Sequence, residues 1–368
     1  MPDTTKSRAT AASATITRQK TLSALEKREF DTAAVVEPFT IGMLTPEERS
    51  HAEAASGAST ALMLKGMLHR LDPKTYAAPA QADTPEAAAI AAVRDIDDKA
   101  FARMTPRLRA LADDQPRLSR LLAPAGRNID LKRPSLGLKL ARPIAGVAGL
   151  KRVDVGNTDH EDAPAAMPKV VVRSGSAAKY SRMDLVLRAV HCVDETNPEG
   201  GGSDDIVLGG VLVGASGNTK VVQSRFIGNF EDGTYVSLGE LPFGQFSLRT
   251  TNGYPKTMYC ILQLVESDQD DADAARELTR ALSTITSMVV STIGSPAAGA
   301  IAGAIVNTVG GLVSLFISDD AFPPYGVRAR LQSENEFGSD GDSGQLRTGN
   351  IVGHGGAYRI GYRWLLNA

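Results

Sequence analysis

Hydrophobic and polar positions along the chain change period twice. In "LTPEERSHAEAASGASTALMLKGMLHRL" apolar residues return every three or four positions behind Thr45, a fitting N-cap. Pro46 follows at the first helical position, and Glu47 and Glu48 fall in the first turn. Thr84-Pro85 and Thr105-Pro106 repeat the same opening before further helical patterning. Three such starts predict a small helical unit over residues 45–124. Residues 125–168 are rich in Pro, Gly and Ala and hold no period, which fits a linker or an arm wrapping the next domain. From Lys169 the period drops to two. "KVVVRS", "MDLVLRAVHCV", "DIVLGGVLVGA", "KVVQSRFIGNF", "TYVSLGELP", "GQFSLRTT" and "TMYCILQLVE" are short, β-branched and separated by turn residues. "YGVRARLQS" and "GGAYRIGYRWLLN" follow later, so residues 169–368 predict a β-sandwich. The fold class expected is α+β and multidomain.

One segment breaks the strand pattern. Ala281–Ser318 contains no Asp, Glu, Lys, Arg or His, although 22% of the chain is charged. Pro296, behind Gly294 and Ser295, divides it, so residues 274–318 read as a helical hairpin inserted into the sandwich. The first helix is amphipathic: Leu278, Leu282, Ile285, Val289 and Ile293 form a stripe, with Thr279, Ser283, Thr286 and Ser287 elsewhere. The second carries Gly299 and Gly303 at the spacing that lets helices approach closely, continues toward Gly310, and includes Leu312 and Phe316. Its length of about 22 residues could span a bilayer. Two readings follow. The hairpin packs on its own sandwich or on a partner chain, a second copy included, or it is released into membrane lipid. A permanent anchor is disfavoured, because acids rather than Lys or Arg flank it.

Composition narrows the function classes. A hydrophobic content of 42% fits a globular chain, and a net charge of −2 gives no pull toward nucleic acid. The first half is mildly basic and the second acidic. Residues 1–44 form an expected flexible leader; its first 30 residues have no apolar stretch of the secretory kind. The localisation expected is cytoplasmic in the producing cell, with a leaderless route open if the leader addresses an export or injection machine. Cys192 and Cys260 sit in apolar runs and read as buried free thiols, or as a single bridge in an exported protein. No Gly-x-Ser-x-Gly, phosphate loop, dinucleotide fingerprint or zinc spacing occurs, which leans against an enzyme. His354, between glycines, reads as a turn residue before the last strand.

The acids gather where strands end. Asp194, Glu195, Asp204 and Asp205 flank one glycine-rich loop; Glu266, Asp268, Asp270, Asp271 and Asp273 follow another strand; Asp319 and Asp320 precede the next. Several carboxylates at one rim of a rigid sheet suit calcium, and solvated acidic turns are the plainer alternative. The segments resemble C2 domains. Asp194 followed by "GGSDDIVL" (Gly201–Leu208) is similar to the first C2 calcium loop, and Asp268-Gln269-Asp270 with Asp319-Asp320 to the second. Asp205-Ile206 replaces the usual Pro-Tyr, and the hairpin separates the halves of the second loop. The resemblance implies a C2-like sandwich with calcium on Asp194, Asp204, Asp268, Asp270 and Asp320, supported by Glu195, Asp205 and Asp319. The function it suggests is that of a bacterial effector or toxin-like protein, whose calcium-binding domain presents a membrane-active hairpin. The alternative is a non-enzymatic structural or interaction protein in which the hairpin is core or an oligomer interface.

Overall fold

The structure is a computed structural model that describes residues 21–125, 129–138, 180–196, 203–249, 253–267, 271–293, 297–317, 320–333, 336–337 and 344–367. In chain order it contains α1 (Ala24–Thr32), β1 (Ala34–Val35), α2 (Pro46–Leu71), α3 (Pro85–Arg94), α4 (Asp98–Asp113) and α5 (Gln115–Leu122). These are followed by β2 (Arg182–Asp194), β3 (Asp204–Val213), β4 (Thr219–Phe230), β5 (Tyr235–Ser247) and β6 (Lys256–Glu266). The hairpin is α6 (Asp271–Thr292) and α7 (Ala298–Phe316), and the chain closes with β7 (Asp320–Ala321), β8 (Tyr325–Ser333), β9 (Glu336–Phe337), β10 (Arg347–Gly353) and β11 (Gly356–Asn367). The strand expected at Lys169–Ser174 lies outside the described residues.

The strands form two mostly antiparallel sheets. One runs β1-β10-β11-β2-β5 and the other β4-β3-β6-β8-β9, with β7 also pairing β6. Leu185, Leu187 and Trp364 of the first sheet meet Leu208, Leu262 and Val327 of the second in one buried core. The second sheet is covered on its other face as well. There Val207, Val211 and Ile261 pack with Leu278, Ile285, Ile305 and Leu312 of the hairpin and with Leu62 and Met63 of α2. The layers are therefore sheet, sheet and helices, and the middle sheet explains the unbroken apolar run of β6. A strand buried on both faces has no polar side to alternate.

Several boundaries differ from the sequence pattern. Residues 21–44 are folded where a leader was expected: Ser23 and Glu26 make a capping box, and Phe30 of α1 is buried against the first sheet. The first two Thr-Pro starts open α2 and α3, with Thr45 and Thr84 accepting bonds from Glu48 N and Ala87 N. The third does not. Asp97 caps α4, and Pro106 lies inside that helix. Phe101, Met104, Leu108 and Leu111 bury on one stripe across the proline, and that shared burial outweighs one missing backbone bond. "TYVSLGELP" and "GQFSLRTT" form the single strand β5. Gly239, at φ 66°, bends it without turning the chain back, and the register against β2 shifts on either side of Leu187. Of the expected linker, residues 129–138 behave as an arm docked on the helices. The Lys65 ammonium donates to the carbonyls of Leu131 and Arg133, each at 2.7 Å, and Glu86 accepts from Leu136 N at 2.7 Å. The helical unit is not separate, since its core is continuous with the hairpin.

Candidate functional site

Strand pairing brings to one rim those of the expected acids that lie among the described residues. Asp194 ends β2 opposite Ala357, Asp204 begins β3 opposite the end of β4, and Ile206 pairs with Glu266, which pairs with Asp320. Asp268, Asp270 and Asp319 lie outside the described residues. The remaining five are not equivalent. Asp204 is wholly buried. One of its oxygens accepts from the Thr196 hydroxyl at 2.8 Å; the other accepts from Thr196 N at 2.9 Å and from the Tyr358 hydroxyl. Both oxygens thus serve to fasten the chain leaving β2 to the start of β3. Burial, followed by the bond to Asp204, drives the Tyr358 phenol far above its ordinary range.

Asp205 accepts from the Asn229 amide, and Asp320 sits 3.3 Å from His354 Nδ1, while His354 Nε2 lies 2.9 Å from the Ala321 carbonyl oxygen. His354 holds the turn between β10 and β11 at φ 51°. Asp194 is exposed. The Glu195 carboxyl is raised above its usual range, first by partial desolvation and then by Asp232, Asp204, Glu231 and Asp194 around it. Among the described residues no three His, Cys, Asp or Glu side chains converge as a metal would require. Thr196, Tyr358 and Asp232 are the rim partners that sequence reasoning missed. Asp232 carried a local signal, the Asp-Gly of the β4–β5 turn. His354, read as a turn residue, does hold the turn before the last strand.

The hairpin rises from this rim, since β6 runs into α6 and α7 returns to β7. Its glycines face its own chain. A Cβ on Gly299 would lie 2.6 Å from Glu48 Oε1, and one on Gly303 would lie 2.8 Å from Leu44 and 3.3 Å from Ala52. The close-approach spacing therefore receives the start of α2. Leu312 and Phe316 are buried, whereas Gly310 is exposed beside Pro324.

Polar ties reinforce this packing. Ser59 and Thr292 share a hydrogen bond of 2.6 Å, Thr308 donates to Ser56 at 3.3 Å, and Ser224 N donates to Thr279 at 2.8 Å. Arg103 of α4 pairs with Glu277, Arg280 pairs with Asp97 at 2.7 Å, and Arg107 donates to the Ile317 carbonyl at the end of α7. A cation at a helix C-terminus is favourably placed. Among the described residues α7 is the one helix long and apolar enough to cross a membrane, and 72% of its apolar window is buried in the fold.

Both cysteines are free and buried. Burial raises the Cys192 thiol to about 12 and holds Cys260 well above its ordinary value, so neither is a ready nucleophile. Comparison with known proteins finds no matching family model, no matching curated protein and no matching solved structure.

Proposed function

We propose that the protein is a non-enzymatic structural or interaction protein in which the α6–α7 hairpin is permanent core. The observation that carries this reading is the occupancy of Gly299 and Gly303 by Leu44, Glu48 and Ala52 of the same chain. Small residues at this spacing allow close helix approach, and here that approach is already taken. Limited proteolysis with and without anionic vesicles tests the reading. The hairpin should stay protected in both, and vesicle-induced cleavage within 271–317 would overturn it.

A second reading has its own support. The apolar length of α7 and the carboxylates at the hairpin's base fit a C2-like, calcium-responsive protein that releases the hairpin into lipid, as a bacterial effector or toxin would. Release would have to separate α7 from α2, break the Ser59–Thr292 and Arg103–Glu277 contacts and uncover the middle sheet. Vesicle leakage that requires calcium would favour this second reading over the first.

A further inference from the structure

The end strands β4 and β5 of the two sheets lie side by side, and between them is a pocket of about 150 Å³. Leu241 and Phe243 form apolar walls, Gln223 and Gln245 supply amides, and Lys220 and Arg225 supply positive charge. Neither this pocket nor the adjoining one of about 200 Å³, which shares Leu212, Lys220 and Gln245, has an Asp or Glu in its lining.

Arg225 is the unusual member. It pairs in register with Leu208, whose side chain belongs to the core between the sheets, so Arg225 is directed to that same side. Three other arginines of the sheets have carboxylates: Arg182 meets Asp184, and Arg188 and Arg363 both meet Glu240. Arg225 has no carboxylate partner among the described residues, and desolvation alone lowers the affinity of its guanidinium for its proton. A guanidinium stays charged, so withdrawing it from water without a counter-charge is unfavourable until an anion arrives. Its planar fork matches the paired oxygens of a carboxylate or phosphate.

We propose that the β4–β5 seam binds a small organic anion, with its carboxylate or phosphate head on Arg225 and Lys220 and its body against Leu241 and Phe243. Arg225 also borders a wider opening of about 760 Å³ that α6 lines with Arg276, Thr279 and Arg280, so the seam adjoins the first helix of the hairpin. The pocket's size suits a compact head rather than a nucleotide, and the neighbouring pocket gives a short body somewhere to extend. Binding should weaken as salt rises, because Lys220 is exposed.

The test is calorimetry on the full chain with inorganic phosphate, with butyrate, and with phosphatidylglycerol vesicles, using wild type, Arg225→Met and Lys220→Gln. Wild type should bind at least one probe, Arg225→Met should weaken binding by about tenfold or more, and Lys220→Gln should weaken it less. Binding to vesicles alone, lost in Arg225→Met, would identify the head as that of a lipid and support the site. A melting experiment provides a second readout. Without ligand, Arg225→Met should melt no lower than wild type, since it removes a desolvated charge, and the probe that binds should raise the melting temperature of wild type only. No binding of any probe to wild type, or equal binding to Arg225→Met, would overturn the proposal.

Discussion

Asp204 commits both carboxylate oxygens to its own fold, accepting three hydrogen bonds from Thr196 and Tyr358. Truncating it strands a buried amide and two hydroxyls, so Asp204→Ala should lose about 2–3 kcal/mol in chemical denaturation. Calorimetric titration of calcium should give equal heats for wild type and Asp204→Asn; a loss of heat in the variant would make Asp204 a ligand after all. The sequence marked Asp204 as an acid at the right rim but not as a buried one. Its partners lie 8 and 154 residues away, and no local pattern predicts such a pairing. His191 offers a pH test at the same scale. It stacks on Tyr235 at 3.8 Å, under Phe30, with Arg359, Lys27 and Asp31 nearby, and its buried Nδ1 has no hydrogen-bond partner among the described residues. Burial, followed by Arg359, lowers its proton affinity in the folded state. The unfolded chain therefore binds the proton more readily, and stability falls as pH drops below about 6.5. Thermal melts from neutral to mildly acidic pH should show this decline, and His191→Gln should reduce it.

At the scale of elements, α2 and α7 meet through small residues, and the glycines along them should respond differently to one added methyl. At Gly57 of α2 a Cβ would lie 2.2 Å from Ala125 N and 2.3 Å from the Pro124 carbonyl carbon, backbone atoms that cannot rotate away. Gly57→Ala should destabilise by about 1–3 kcal/mol despite its better helix propensity. At Gly310 the nearest atom is Pro324 Cδ at 3.4 Å, so Gly310→Ala should be neutral or stabilise by less than about 1 kcal/mol. Urea titrations of the two variants check the contrast; equal losses would mean that the helix contacts do not set it. The hairpin itself was legible, because Pro296 divided an uncharged stretch into an amphipathic helix and an apolar one. Its destination was not. Periodicity identifies an apolar face, but lipid, a second copy and α2 would all satisfy the same face. The hydroxyls of α6 marked a polar side without revealing its partners: Thr279 accepts from Ser224 N of β4, and Thr292 bonds to Ser59 and Ala55 of α2.

For the whole molecule, the decisive feature is a middle sheet covered on both faces. The change of period near residue 169 suggested separate helical and strand units. The core joining Leu62 and Met63 of α2 to Ile305 and Leu312 of α7 and Ile261 of β6 makes them one. Helical and tertiary probes should therefore report coincident unfolding transitions, while an early loss of helix signal would indicate an independent helical unit. The central claim is that α7 stays under α2. Hydrogen exchange of peptides from Pro46–Leu71 and Ala298–Phe316, recorded with and without anionic vesicles and calcium, tests it most directly. The account predicts slow exchange in both segments that vesicles and calcium leave unchanged. Loss of protection in α2 on adding vesicles, with α7 still protected by lipid, would contradict it.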